Sequence, residues 1–206
     1  MKKIIFATAI ATLLAAPQAF AQAKYFEGLS VGGNLNLIAT TTEVSSYVSK
    51  NSLNGIGQQA TNAALQAAYS FASSDAVVVS VGGTYNLGEV DAGAISDRDG
   101  SVSTFKLKNY MSIYVEPGIV ANKTNLLYTK LSYNLGTLKG DVGTTPVTKD
   151  ITGAGFGFGV RTLLSKEMFL QVEVNRVQFG SVRFEDITSD FKSSATIGSV
   201  GLGYKF

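Results

Sequence analysis

The last twelve residues, Ala195-Thr-Ile-Gly-Ser-Val-Gly-Leu-Gly-Tyr-Lys-Phe206, decide the fold of this chain. Their side chains alternate with a period of two, which is typical of a β-strand. The apolar face carries Val200, Leu202, Tyr204 and the terminal Phe206, and the other face carries Ile197 and small or polar residues. Terminal residues that are not tied down stay mobile. We therefore expect the chain to end inside a paired strand.

The N-terminus has the pattern of a secretory signal peptide. Lys2 and Lys3 precede an apolar run over residues 4–16, and small residues alternate before Ala23. We predict that residues 1–23 are the signal peptide, with cleavage after Ala23 or, as the alternative, after Ala21. An anchoring helix needs about 20 apolar residues to span a bilayer, and this run is shorter. Residues 24–206 then form one domain.

The composition excludes several classes of function. The chain has 17 basic and 15 acidic residues, and removal of Lys2 and Lys3 leaves 15 of each. A neutral mature chain gives no electrostatic reason to expect nucleic acid as a partner. Without Cys or His, neither a disulfide nor a thiolate or imidazole metal site forms. We expect no cofactor. No apolar run after residue 23 is long enough for a transmembrane helix.

The rest of the chain divides into segments of alternating polarity. We predict eight strands, over residues 29–39, 62–71, 77–87, 104–120, 127–135, 153–163, 168–177 and 195–206. Short turns alternate with long polar loops at residues 40–58, 88–102, 136–152 and 178–194. This asymmetry is typical of bacterial outer-membrane barrels. The predicted fold is all-β: an eight-stranded antiparallel transmembrane β-barrel, an up-and-down meander with short periplasmic turns and long extracellular loops.

The alternative is a soluble secreted barrel or sandwich whose apolar faces point inward. Two features favour lipid on the outside. The second face of the strands is rich in amide, hydroxyl and charged side chains, and aromatic residues lie near the strand ends, as they do at membrane interfaces. We expect a periplasmic rim of Phe71, Tyr204 and Phe206 and an outer rim of Tyr85, Phe105 and Tyr133.

Four charged residues are predicted to lie inside the barrel. If strands four and five turn about Lys123, Glu116 lies opposite Lys130, and we expect an ion pair across the strands. Arg161 and Glu173 lie one diagonal step apart on the next two strands. An eight-stranded barrel is just wide enough to be filled by side chains. These pairs are therefore interpreted as packing that plugs the barrel, with a gate or selectivity element as the alternative.

Three more cations lie near the predicted outer ends of the strands. Lys106, Lys108 and Arg176 are positioned either to meet anionic lipopolysaccharide or to be solvated. Arg176 shares its face with Val172 and Val174. It must therefore lie above the hydrocarbon or follow a β-bulge.

The chain resembles the small outer-membrane β-barrel family of OmpX-like, opacity-type and other "porin family" proteins and the barrel domain of OmpA. The residues that carry the resemblance are the terminal strand, the end of strand four at residues 114–118, the start of strand five at residues 127–130, and the Gly-rich sixth strand. The resemblance implies a bacterial outer-membrane location and export by the Sec route. It also implies that Val200, Leu202, Tyr204 and Phe206 form the signal read by the barrel-assembly machinery.

The expected function is non-enzymatic. Outer-membrane barrels with lipase, deacylase, palmitoyltransferase or protease activity rely on a His for proton transfer, and this chain has none. We expect a role in envelope integrity or in adhesion, with a host or surface ligand bound by the extracellular loops. The alternative is a narrow porin-like channel for small solutes.

Overall fold

The chain forms one antiparallel sheet that closes into a barrel. The structure, a computed structural model, describes residues 22–46, 52–96, 102–142, 145–183 and 189–206. Its elements are a short 3-10 helix η1 (Ala23–Phe26) and strands β1 (Gly28–Ser46), β2 (Ser52–Ala72), β3 (Val77–Leu87), β4 (Val90–Ser96), β5 (Val102–Val120), β6 (Asn125–Val142), β7 (Thr145–Leu163), β8 (Met168–Phe179), β9 (Val182–Arg183) and β10 (Ser189–Lys205). Among these residues, no helix is long and apolar enough to cross a membrane.

Eight of the strands form the closed wall. Each of β1, β2, β3, β5, β6, β7, β8 and β10 pairs with the next in that order, and β10 pairs with β1. The closing ladder runs from Ser30 opposite Lys205 to Ser46 opposite Ser189. The predicted eight-stranded barrel is therefore confirmed, with the C-terminal strand as one side of its closure. The short strands β4 and β9 pair only with β5 and β10, at the end of the barrel away from the termini.

The strands are longer than the alternation of polarity predicts. The predicted strand at residues 77–87 matches β3, but the four segments predicted as long loops are largely strand. β1 continues to Ser46, β2 begins at Ser52, and the β6–β7 ladder extends to Val142 opposite Thr145. Alternating polarity in the sequence reveals a strand only where one face is apolar and the other is polar. Where both faces are polar, no alternation appears. Backbone pairing does not need an apolar face, so the strands continue.

One β-bulge reverses the faces of β5. The β5–β6 register shifts between Lys108 and Met111, where Asn109 has a φ of 50°. The extra residue directs the Leu107 side chain into the barrel. Phe105 packs against the buried apolar cluster that contains Leu107. The prediction that Phe105 lies on the outer aromatic rim is therefore wrong. Tyr85 and Tyr133 are exposed on the outer face, as are Phe71, Tyr204 and Phe206 near the opposite end.

The interior has three layers. The layer nearest the termini is apolar and contains Ala23, Phe26, Val78, Val120 and Leu126. The middle layer is polar, and its charged and amide side chains are buried. The third, here called the outer apolar layer, consists of Ile38, Val90, Leu107, Tyr110, Ile151, Val177, Ala195 and Ile197. The prediction of a small and polar interior therefore holds only for the middle of the barrel.

Helix η1 closes the barrel end that holds the termini. The Phe26 side chain is buried, and the Ala23 amide donates a hydrogen bond of 3.1 Å to the carbonyl of Asp75. Residues 1–21 of the predicted signal peptide lie outside the described residues. A chain processed after Ala21 keeps the buried Ala23, whereas a chain processed after Ala23 begins at Lys24. The cleavage site stays a prediction.

Candidate functional site

The middle of the barrel holds a network of four charged side chains, here called the charge network: Glu116, Lys130, Arg161 and Glu173. Glu116 lies on β5, Lys130 on β6, Arg161 on β7 and Glu173 on β8. All four alternate with residues on the outer face, so the pleat of four consecutive strands turns them inward. Each is nearly fully buried. The two positive and two negative charges balance.

The structure contains one of the two ion pairs expected from the sequence and not the other. Lys130 Nζ lies 3.1 Å from Glu116 Oε1, so these two side chains meet across the β5–β6 ladder. Arg161 does not pair with Glu173. Its Nη2 lies 3.1 Å from Glu116 Oε2, and Glu173 Oε2 lies 2.6 Å from Lys130 Nζ. One carboxylate and one ammonium therefore each bridge two partners.

Arg161 pairs with Glu116 instead of Glu173 because the barrel is narrow. A side chain inside a barrel of eight strands reaches residues on strands that are not its neighbours, whereas strand register describes only adjacent pairs. Arg161 on β7 thus reaches past β6 to Glu116 on β5. Its Nε and Nη2 also donate to Gln171 Oε1, at 3.1 and 2.8 Å, and Gln171 is its register partner on β8.

Aromatic rings surround the two cations of the charge network. Lys130 Nζ lies 4.1 Å from the centroid of the Tyr114 ring, and the Arg161 guanidinium lies 4.9 Å from that of Phe169. Tyr128 donates a 3.0 Å hydrogen bond to Glu173 Oε2. Cation–π contacts strengthen when the cation is removed from water. These rings fill the space that would otherwise admit water around the charges.

A second polar group, the amide network, lies between the charge network and the outer apolar layer. It consists of Asn36, Asn62, Asn86 and Asn134. Asn36 and Asn62 each donate to Asn86 Oδ1, at 3.2 and 2.8 Å, and Tyr110 donates to Asn134 Oδ1 at 2.9 Å. The sequence predictions assigned such residues to the inner face but did not identify this network. Its signal is the recurrence of Asn at inward positions of β1, β2, β3 and β6.

A polar cavity of about 30 Å³ lies between these two networks. Lys130 and Glu173 line one side of it, and Tyr110 and Ile197 line another. The charge network and η1 lie between this cavity and the end of the barrel that holds the termini. The cavity is thus a chamber within a filled interior.

The cations near the outer end of the barrel lie on its surface. Lys106 and Lys108 both form ion pairs with Glu89, which precedes β4. The hydrogen bond from Lys108 lowers the pKa of the Glu89 carboxyl below its ordinary value. Arg176 faces outward without a bulge, and its guanidinium donates to the hydroxyls of Thr196 and Ser194 on β10. Of the two placements expected for Arg176, the structure therefore excludes the bulge.

The Gly-rich strand β7 shows why small residues lie on its inner face. A Cβ on Gly157 would lie 2.6 Å from the carbonyl oxygen of Val174 and 2.9 Å from the Cα of Asn175. Any larger residue would therefore push β7 away from β8. The outward residues of β7 are large in compensation, and Phe156 and Phe158 are exposed.

The outer face of β10 holds the residues predicted to form the assembly signal. Val200, Leu202, Tyr204 and Phe206 are all exposed, and the Tyr204 and Phe206 rings are in edge contact with centroids 5.0 Å apart. Their role in assembly stays a prediction. Within residues 22–46, 52–96, 102–142, 145–183 and 189–206, no three acidic side chains are grouped so that they could hold a metal ion.

Comparisons with known proteins agree on the architecture. The sequence matches the family model described as "Outer membrane protein beta-barrel domain" over residues 6–206. No curated protein sequence matches the chain significantly. Among solved structures, Neisserial surface protein A is 15% identical, with 87% of this chain and 98% of that chain covered and a TM-score of 0.53.

Two further solved structures are similar to this chain. The outer membrane protein OprG from Pseudomonas aeruginosa is 12% identical, with 87% and 97% covered and a TM-score of 0.50. The attachment invasion locus protein Ail of Yersinia pestis is 15% identical, with 87% and 99% covered and a TM-score of 0.47. At these identities the matches to Neisserial surface protein A and OprG show a shared fold and nothing about ligands.

Proposed function

Because the chain belongs to the outer membrane protein beta-barrel domain family and is an integral protein of the bacterial outer membrane, we propose that it is a closed, non-enzymatic barrel that acts through its outer end. Its role is to support the envelope or to bind a host or surface ligand. The observation that carries this proposal is the filled interior, in which a balanced charge network lies between two apolar layers.

The filled interior supports a closed barrel rather than a channel. A solute path must cross the layer of Phe26 and Leu126, the ion pairs around Lys130 and the outer apolar layer. Each carboxylate of the charge network is held by at least one cation at 3.1 Å or less. Opening a path therefore requires buried charges to be separated, which costs several kcal/mol per unpaired charge.

The absence of histidine from the sequence supports a non-enzymatic role. Histidine is the most frequent general base near neutral pH, and this chain has none. The buried carboxylates Glu116 and Glu173 are engaged by Lys130 and Arg161. Both carboxylates are therefore already in contact with a cation inside the barrel.

The extension of the strands supports a role for the outer end. Beyond Ala39, which lies at the level of Thr196 and Arg176, β1 continues for seven residues to Ser46. At about 3.3 Å per residue this is about 23 Å of paired strand. We propose that Arg176 on the outer face contacts the anionic headgroups of lipopolysaccharide and that the projecting hairpins carry the ligand-binding surface.

The first test is electrical conductance. Refolded protein in planar lipid bilayers is expected to show no reproducible single-channel openings, because the charge network and both apolar layers obstruct the interior. A matched preparation of a known open porin serves as the positive control. Reproducible openings of the wild-type protein would contradict the closed barrel and support the channel.

The second test is adhesion by a barrel with a shortened β1–β2 hairpin. Thr42 pairs with Ile56, so residues 43–55 can be replaced by Asn-Gly, a pair suited to a two-residue hairpin turn. Cells that display this variant are expected to adhere less to a host-cell or abiotic surface than cells with the wild-type protein. The control is the Lys123→Ala variant in the turn at the opposite end. Unchanged adhesion by a variant that is correctly inserted would remove this hairpin from the binding surface.

A further inference from the structure

The segment at residues 22–27, here called the N-terminal plug, closes the barrel at the end near the termini. Ala23 and Phe26 are only 1% and 2% exposed. They pack in the apolar layer nearest the termini, against Val78 of β3 and Leu126 of β6. Burial of apolar side chains stabilises a fold in proportion to the area removed from water. The N-terminal plug is therefore part of the packed interior of the barrel.

Hydrogen bonds also hold the first residues of the N-terminal plug. The Ala23 amide donates to the carbonyl of Asp75 at 3.1 Å, and the Tyr25 amide donates to the carbonyl of Gln22 at 3.1 Å. Gln22 is the N-cap residue of η1. The fold therefore uses Gln22 and Ala23 as well as the residues that follow them.

Gly28 directs the N-terminal plug into the barrel end. Its φ is 123°, a conformation that residues with a Cβ rarely adopt, and a Cβ here would lie 2.7 Å from the carbonyl oxygen of Phe206. The Lys205 ammonium donates to the carbonyl of Glu27 at 3.2 Å. The link between the N-terminal plug and β1 is therefore built against the terminal strand.

The two cleavage sites expected from the sequence differ in whether they keep this segment whole. Small residues at alternate positions precede both sites, since Ala19, Ala21 and Ala23 follow one another at steps of two. Cleavage after Ala23 would remove a buried residue and place the α-ammonium of Lys24 next to the apolar layer, where a charge loses hydration. Cleavage after Ala21 leaves the N-terminal plug complete.

We propose that the signal peptide is removed after Ala21, so that the mature chain begins at Gln22 and the barrel end is closed by the complete N-terminal plug. Signal peptides are removed from the exported chain before a barrel forms, so the burial of Ala23 does not hinder cleavage. The fold instead indicates which product closes the barrel end. The inference is independent of the proposed role of the outer end, because the N-terminal plug lies at the opposite end.

The first test is the intact mass of the mature protein purified from outer membranes. We expect a chain that begins at Gln22. The chains that begin at Gln22 and at Lys24 differ by one Gln and one Ala, and loss of ammonia from an N-terminal Gln does not make their masses coincide. A mature chain that begins at any residue other than Gln22, Lys24 included, would overturn the proposal.

The second test measures whether Gln22 and Ala23 stabilise the barrel. Chains that begin at Gln22 and at Lys24 are released from a cleavable tag, refolded into lipid vesicles and unfolded in urea. We expect a lower urea midpoint for the shorter chain, because it lacks the buried Ala23 and its hydrogen bond to Asp75. The control is Lys24→Ala in the longer chain, which changes an exposed side chain and is expected to keep the midpoint.

Equal midpoints for the two chains would overturn the proposal, because the fold would then not use the two residues that distinguish the cleavage sites. A shorter chain that does not refold shows the expected loss in its extreme form, provided that the Lys24→Ala variant refolds. In that case the intact mass of the native protein decides between the two starting residues.

Discussion

Replacing Val200 by Arg is expected to lower the free energy of unfolding in a lipid bilayer by about 2 to 4 kcal/mol. Val200 is exposed on the outer face of β10, between Leu35 of β1 and Val172 of β8. It lies midway between Tyr204, near the termini, and Thr196, which is opposite Arg176. Arg at this position would place a charge near the bilayer midplane, where it has no polar partner.

The control for this prediction is Thr41→Arg. Thr41 is also exposed on the outer face, but it lies beyond Arg176 toward the outer end of the barrel. Near the interface the same charge costs about 0 to 1 kcal/mol. The measurement is reversible urea unfolding from lipid vesicles, followed by tyrosine fluorescence. Equal losses for the two variants would mean that Val200 does not face the centre of the bilayer.

Replacing Glu116 by Gln is expected to destabilise the folded barrel by about 3 to 5 kcal/mol, because it leaves the buried Arg161 without its carboxylate and Lys130 with one of its two. Glu116 lies 3.1 Å from both Lys130 Nζ and Arg161 Nη2, and it is nearly fully buried. The Gln side chain keeps the shape of Glu but removes the charge. Urea unfolding from vesicles measures the loss, and Glu89→Gln at the exposed ion pair is expected to give no measurable change.

A double variant separates lost charge from lost packing. In the Glu116→Gln, Lys130→Met chain one negative and one positive charge are removed together, so the interior stays neutral. We expect this chain to be more stable than the Glu116→Gln single variant, since replacement of a buried pair is often close to neutral. If the double variant loses as much unfolding free energy as the Glu116→Gln and Lys130→Met single variants lose together, the network is not coupled and the prediction fails.

The sequence predictions succeeded where one face of a strand meets lipid. In β3 the apolar residues Val79, Val81, Tyr85 and Leu87 face away from Ser80, Thr84 and Asn86, and the predicted bounds match the observed Val77–Leu87. The turn centred on Lys123 likewise predicts a register that places Val115 opposite Leu131. Both follow from local rules, the two-residue period of the pleat and the symmetry of a hairpin about its centre.

The predictions failed where the cause was not local. The bulge at Asn109 shifts the register by an amount that no alternation within β5 reveals, so Phe105 was assigned to the wrong face. The pairing of Arg161 with Glu116 joins strands that are not neighbours. The residues of the outer apolar layer cannot be distinguished from lipid-facing residues in the sequence. An apolar side chain that points inward has the same hydropathy as one that points outward.

The sequence by itself determined the class, the number of wall strands and, except beyond the bulge in β5, the side of each wall strand that faces lipid. It did so because a transmembrane barrel imposes a two-residue period on every strand that crosses the hydrocarbon. Tertiary structure alone decided what fills the barrel. Closure brings β5, β6, β7 and β8 around one narrow space, so the partners of Glu116 and Lys130 depend on distances across the barrel. The same closure gathers the eight side chains of the outer apolar layer, although they are far apart in the chain.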